Sequence, residues 1–399
     1  MKRFLETGNF AITEGAILAG CRFFCGYPIT PATELAEWMS YRLPQVGGVY
    51  LQAEDESAAM HVCIGASLGG MKAMTATSGP GYILYADPYG WALGCEMPLV
   101  VVNSGRVGPV SGITGAPGQG EFYLTRYPTQ GGNFEAITLA PNSAQEAMGM
   151  VVEAFYLSER LRMPVTVLAD QLITDGFEDI SVPETPEEMA AMGYKVWPRA
   201  YHTGPEFYPA TDALDIPPVQ MGKNTGGLCS DWTPTEEGYD IEEVEAHHKH
   251  SYRLIYKVRN NKQLFNNLYE TKFMDDDPDL VVVSYGTPSR VVNTAVAKAR
   301  SAGMKVGALR LINLWPFPDE HFTRNTKYLS VELNWDGQLV REIQRAAPKG
   351  SEINFLGTCG DLPTIPDLME SFEKILKNQP LQRKGWELEA WSWNSRQAS

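Results

Sequence analysis

Four short stretches of this chain carry the residue types that proton transfer and carboxylate recognition use. They are Tyr27-Pro28-Ile29-Thr30-Pro31, Gln52-Ala53-Glu54-Asp55-Glu56, Ser78-Gly79-Pro80-Gly81 and Asn103-Ser104-Gly105-Arg106. Between them they offer a hydroxyl, a carboxylate, a glycine-lined wall and a guanidinium. A placed carboxyl can hold or move a proton, and a guanidinium forks onto a carboxylate. Ser78-Gly79-Pro80-Gly81 suits a turn from strand into helix, where backbone N–H groups hold an anion or face an aromatic cofactor. It has neither the P-loop lysine nor the G-x-G-x-x-G spacing, so it does not support nucleoside triphosphate or dinucleotide binding. As a bare pattern it reads equally as a tight turn. Taken singly, Arg106 fits a structural ion pair and Glu54 a solvated acid at a loop end.

Each stretch follows a short apolar run, at 23–26, 49–52, 72–77 and 99–103, and the runs alternate with helical patterns at 11–22, 32–41, 56–69 and 82–93. Thr30 is a plausible N-cap of the second helix, with Pro31 in its first turn. A long helix at 144–161 and a strand at 164–168 complete the series. Such alternation predicts an α/β fold with doubly wound, mostly parallel sheets, whose ligands bind outside the carboxyl ends of the strands. Beyond residue 175 the pattern breaks. Residues 176–270 are rich in proline (Pro183, Pro186, Pro198, Pro205, Pro209, Pro217, Pro218, Pro234) and contain Gly226-Gly227. They read as a long irregular linker ending in a charged helix at 241–261. A second alternating unit follows, with strands at 279–286, 305–311, 327–332 and 352–356 and helices at 289–302 and 337–347.

The formal net charge of −15 over 399 residues argues against nucleic acid and against an anionic membrane surface as partners. No run of 18 apolar residues suggests a membrane span, and the first residues do not read as a signal peptide. The six cysteines show no C-x-x-C spacing, which argues against zinc or iron–sulfur ligation in this chain. Cys21 and Cys25 read as core thiols, and the expected compartment is reducing and cytoplasmic. His247-His248-x-His250 lies on the charged helix, where adjacent histidines diverge, and reads as surface rather than as a metal site.

The combination of motifs resembles the α subunits of 2-oxoacid:ferredoxin oxidoreductases. The first-half stretches carry this, from Gly8 to Glu34 and again through Gln52–Glu56 and Met74–Gly81. So do Ser284-Tyr285-Gly286, Leu314-Trp315-Pro316-Phe317-Pro318 and Glu332-x-Asn334-x-x-Gly337-Gln338-Leu339 in the second half. The resemblance implies a thiamine-diphosphate pyrimidine-binding domain at 1–175, the linker at 176–270 and a transketolase C-terminal-like domain at 271–399. It implies that Glu54 bonds N1′ of the cofactor's aminopyrimidine, a role that needs a carboxyl shielded from water. Thr30 and Arg106 match positions beside the reacting carbon and the substrate carboxylate. Tyr27, Pro28, Ile29, Ser78 and Gly79 match the cofactor wall. No metal is expected on this chain.

The sequence has no Gly-Asp-Gly for Mg²⁺ and diphosphate and no four-cysteine cluster. The family places these on a β subunit, together with at least one 4Fe–4S cluster, and some members add γ and ferredoxin-like δ subunits. The implied reaction converts a 2-oxoacid and coenzyme A to acyl-CoA and CO₂, with ferredoxin or a similar acceptor taking the electrons. The isolated chain is then expected to be inactive. Residues 107–122 contain no Lys or Arg. Members specific for 2-oxoglutarate often carry Thr-Lys where this chain has Gly115-Ala116-Pro117, which leans the expected substrate toward an apolar side chain, branched or aromatic. Arg126 nearby would restore a cation. Alternatives are a 2-oxoglutarate-specific member, the pyrimidine half of a cluster-free transketolase-like enzyme, and a noncatalytic electron-transfer-flavoprotein-type subunit.

Overall fold

Leu99–Val107 opens with four consecutive aliphatic residues, and every residue of it is buried, as befits a central parallel strand covered on both faces. The computed structural model, which describes residues 1–200 and 232–381 with scattered residues between 202 and 229, places it inside the larger of two mixed sheets. That sheet runs in the order Asn313–Trp315, Thr138–Leu139, Pro164–Asp170, Leu99–Val107, Ala73–Thr77, Phe23–Gly26, Val49–Gln52. All neighbours are parallel except Asn313–Trp315 on Thr138–Leu139. Ile113–Pro117 folds back antiparallel onto the end of Leu99–Val107. The smaller sheet has the order Tyr269–Lys272, Val306–Leu311, Leu280–Ser284, Lys327–Glu332, Glu352–Gly357, parallel but for its first strand. This is the α/β architecture the alternation predicts.

Local chemistry sets the helix starts. Asp55 accepts the N–H of Ala58 at 2.7 Å ahead of Glu56–Leu68, and Ser143 accepts that of Glu146 at 3.2 Å ahead of Ala144–Leu161. The stretch after Gly81, expected as one helix, is two, Gly79–Leu84 and Ala86–Gly94. The Glu332-x-Asn334-x-x-Gly337-Gln338-Leu339 motif is a built-in cap. Glu332 accepts the N–H groups of Gln338, Leu339 and Val340 at 2.9 Å each, where a helix start favours negative charge.

Within residues 176–270, the described parts include a paired strand and a packed helix. Phe177–Val182 precedes Pro183 and pairs antiparallel with Lys2–Thr7, turning Ile180 and Val182 inward. The helix Val244–Arg259 is pinned to the larger sheet's unit. Arg253 and Lys257 reach Glu96 at 2.7 and 3.1 Å, with Arg162 at 3.4 Å, all buried. Burial opposes ionisation of Glu96, but these three cations outweigh it and hold its carboxyl well below the usual range. Pro205, Pro209, Gly226-Gly227 and residues 382–399 lie outside the described residues.

The two sheets are also stitched by sequence order. Asn313–Trp315 leaves the second alternating unit to form the edge of the larger sheet. Trp315 donates its indole N–H to the Phe122 carbonyl at 3.0 Å, and its ring lies 4.8 Å from that of Phe122. The Leu-Trp-Pro-Phe-Pro motif is thus a structural joint.

Candidate active site

The four sequence stretches end four strands that lie side by side, Leu99–Val107, Ala73–Thr77, Phe23–Gly26 and Val49–Gln52. Their loops therefore share one rim of the sheet, the rim where open α/β folds bind ligands. Thr30 is exposed, and the helix after it begins at Thr33 with Ala32 as its cap residue and no side-chain cap bond. The N-cap role expected for Thr30 is therefore absent, and its hydroxyl is left for other work. Its carbonyl accepts from Nη1 of Arg106 at 2.5 Å, across the intervening loop of Ala73–Thr77. Arg106 is only 6% exposed, so its guanidinium is preorganised at the rim.

Glu54 is exposed at the end of Val49–Gln52. Its neighbours are spoken for: Asp55 caps the next helix, and Glu56 is buried where a Gly81 Cβ would come within 2.1 Å of its Oε1. Only glycine fits at 81. Tyr27 and Pro28 are exposed, while Ile29 packs partly against the core. Ser78 and Gly79 are buried, and Ser78 Oγ has no hydrogen-bond partner.

Glu121 lies in the loop 107–122, and its residue type and position in the sequence carry no role for it. Its carboxyl lies in a slot cleared by two glycines: a Cβ on Gly79 would stand 2.6 Å from its Oε1, and one on Gly105 3.5 Å from its Oε2. Burial pushes this carboxyl up to about 8, against backbone N–H groups of Glu121 and Gly120 and the pull of Arg106. The sequence offered only a carboxylate two residues after a glutamine in a glycine-rich loop, which does not show the slot. The glutamine, Gln119, bridges the sheets. Its N–H donates to the Leu333 carbonyl at 2.9 Å, its Oε1 accepts from Leu333 at 3.0 Å, and its Nε2 reaches the Tyr285 carbonyl at 3.0 Å.

Other candidate groups stand apart from this rim. Arg126 pairs with Glu135 at 3.1 Å and its guanidinium lies over Trp315 and Tyr127, so it is already committed. Cys21 and Cys25 are buried, and burial pushes their thiols up to about 12 and about 11. On the helix Val244–Arg259, His247 and His248 are exposed, but His250 turns inward and burial pushes its imidazole down to about 4. Among the described residues no cluster of three or more His, Cys, Asp or Glu suits a metal ion, and no helix is long and apolar enough to cross a membrane.

Residues 14–245 match the family described as pyruvate flavodoxin/ferredoxin oxidoreductase, thiamine diphosphate-binding, and residues 278–368 match the pyruvate:ferredoxin oxidoreductase core domain II. A 2-oxoglutarate synthase subunit KorA from Methanothermobacter marburgensis is 39% identical, over 94% of this chain and 99% of its own length. A ketoisovalerate oxidoreductase subunit VorB from Methanothermobacter thermautotrophicus is 32% identical, over 92% and 96%. Among solved structures, a 2-oxoglutarate:ferredoxin oxidoreductase from Magnetococcus marinus superposes with a TM-score of 0.82 at 28% identity, over 93% of this chain. The present chain spans 65% of the length of that one. A split-gene transketolase shares the fold at TM-score 0.51 and 11% identity. The chain therefore belongs to the 2-oxoacid:ferredoxin oxidoreductase family, as an α subunit.

Proposed function

We propose that this α subunit forms half of the active site of a CoA-acylating 2-oxoacid:ferredoxin oxidoreductase. The net reaction is oxidative decarboxylation of a 2-oxoacid to acyl-CoA and CO₂. The observation that carries the reading is the shared rim, where Glu54, Thr30 and Arg106 end neighbouring strands and Arg106 is bonded to the Thr30 carbonyl.

The rim suits thiamine diphosphate, whose ylid carbon, when the cofactor is bound, supplies the nucleophile and electron sink for decarboxylation. Glu54 offers a carboxylate to the aminopyrimidine, and Tyr27, Pro28, Ile29, Ser78 and Gly79 form its wall. The unpartnered hydroxyl of buried Ser78 is free to bond a ligand there. Glu54 is exposed in this chain alone, so the dry surroundings its role needs come from a β subunit. That subunit brings Mg²⁺, the diphosphate site and a 4Fe–4S cluster; γ and ferredoxin-like δ subunits and a ferredoxin acceptor complete the electron path. Arg106 binds the substrate carboxylate, and the Thr30 hydroxyl bonds the oxo or carboxylate oxygen. The domains at 1–175 and 271–399 keep the pyrimidine-binding and transketolase C-terminal-like roles, and the setting is cytoplasmic.

The substrate side chain faces residues 107–122, which present exposed Val110 and Ile113 and no cation. With Arg126 committed to Glu135, this supports an apolar 2-oxoacid, branched or aromatic. A second reading, 2-oxoglutarate, is favoured by relatives named 2-oxoglutarate synthase subunits at 33–39% identity, against 32–33% for those named ketoisovalerate oxidoreductase subunits. The assembled complex is assayed by 2-oxoacid-dependent viologen reduction with a panel of substrates. Phenylglyoxylate or 2-oxoisovalerate turning over fastest supports the first reading, and 2-oxoglutarate the second. Full activity in a Glu54→Ala complex, or an assembly without iron, counts against the enzyme assignment.

A further inference from the structure

Arg106 is not alone at the rim. The stretch after Pro117 folds back over its strand so closely that a Cβ on Gly118 would lie 2.6 Å from the Arg106 carbonyl, and one on Gly105 2.8 Å from that of Gly118. This fold-back delivers Glu121, 7% exposed, between the ends of Ala73–Thr77 and Leu99–Val107. Its Oε2 has no hydrogen-bond partner, nor does Nε of Arg106, and both are buried. Ser78 Oγ, Ser104 Oγ and the Asn103 amide, in the same two stretches of the rim, are buried and unpartnered as well. A full negative charge in such a slot is poorly solvated, whereas a neutral carboxyl is tolerated.

We propose that Glu121 is a positioning residue that sets how strongly Arg106 holds the 2-oxoacid. As a neutral acid it leaves the guanidinium charge to the incoming substrate carboxylate. When it loses its proton to solvent, it draws that charge to itself and repels the substrate. The inference rests on the assignment of Arg106 to substrate binding.

Burial is the main reason that Glu121 stays neutral, and it moves the titration to about pH 8. Charged and titratable groups that feel it include Arg106, from its own rim, and the Tyr285 phenol, from the second unit, beside which stand Glu332 and Asp170. Tyr285 is held well above the usual range by burial, with Glu332 and Glu121 adding to it, and so remains neutral throughout. Glu121 is then the group of this pair whose charge changes in the working range.

The test is the pH dependence of KM for the 2-oxoacid in the assembled enzyme. In the parent, KM should rise roughly fivefold to tenfold between pH 7 and 9, as expected when binding favours one protonation state of a group titrating near 8. Glu121→Gln, close in shape to the neutral acid, should flatten that rise. Glu121→Asp, which still titrates, should keep a pH-dependent KM with a displaced midpoint. A Glu121→Gln enzyme with the parent's profile overturns the proposal. An assembled parent that turns over no 2-oxoacid at any pH overturns the family function for this chain, and the role of Glu121 falls with it.

Discussion

The carboxylate of Asp170 accepts both the backbone N–H of Thr287, at 2.9 Å, and its hydroxyl, at 2.5 Å, joining the end of a strand in the larger sheet to the start of a helix on the smaller one. Both residues are buried. Burial raises the Asp170 carboxyl, and the Thr287 bonds pull it back. A double-mutant cycle of Asp170→Asn and Thr287→Val should give a coupling of roughly 1–3 kcal/mol in urea unfolding. A coupling near zero would mean that the hydroxyl bond adds nothing to the other links between the two units, those of Gln119 among them.

Glycine substitutions should separate by what surrounds them. Gly81→Ala puts a methyl 2.1 Å from Glu56 Oε1 and 2.2 Å from Thr77 Oγ1, and should cost roughly 1–3 kcal/mol of stability while displacing the loop that carries Ser78 and Gly79. Gly65, inside the helix Glu56–Leu68, has nothing within 4 Å of its Cβ position. Gly65→Ala should stabilise by about 0.5–1 kcal/mol through helix propensity. Thermal unfolding of the two variants side by side checks both signs.

Glu121 also links stability to pH. Its folded-state value is raised to about 8 from 4.5, so the native state holds this proton more tightly than the unfolded chain. Its contribution is fully present below about pH 4.5 and is lost progressively as pH rises to about 8. Glu121→Gln removes the loss. The unfolding free energy of Glu121→Gln relative to the parent should grow between those two pH values and level off above the upper one. A constant difference across the range would contradict the raised value.

Arg106→Lys should raise KM for the 2-oxoacid by roughly tenfold to a hundredfold, the loss expected for removing one charge-assisted bond, with a smaller fall in kcat. Lysine keeps the charge but cannot bond the Thr30 carbonyl and fork onto a carboxylate at once. An equal loss in kcat with KM unchanged would place Arg106 outside ground-state binding. Steady-state kinetics of the assembled complex distinguish the two.

Most of the architecture was legible because it rests on local signals. Leu99–Val107 and Leu280–Ser284 announce themselves by aliphatic runs, and the order of strand and helix follows from period alone. What was hidden depends on contacts between distant residues. Asn313–Trp315 reads as part of the second unit, and only its pairing with Thr138–Leu139 reveals the crossing. The order of Phe177–Val182 comes from Lys2–Thr7 at the other end of the first unit. At the rim, the family resemblance singled out Thr30, Glu54 and Arg106, which their residue types alone left open. Glu121 escaped because its significance lies in what two glycines leave open beside it, and a sequence shows the glycines without showing the slot. Thr30 looked like a cap because threonine before proline often is one; the helix simply starts later.

The crossing strand limits how this protein can be divided. A gene cut near residue 270 would yield a first fragment in which Thr138–Leu139 becomes a bare edge and Phe122 loses the indole of Trp315. Bare edges recruit foreign strands, so such a fragment should aggregate rather than wait for its complement. Chimeras with relatives should therefore exchange whole chains, or carry Asn313–Trp315 along with the sheet that it completes.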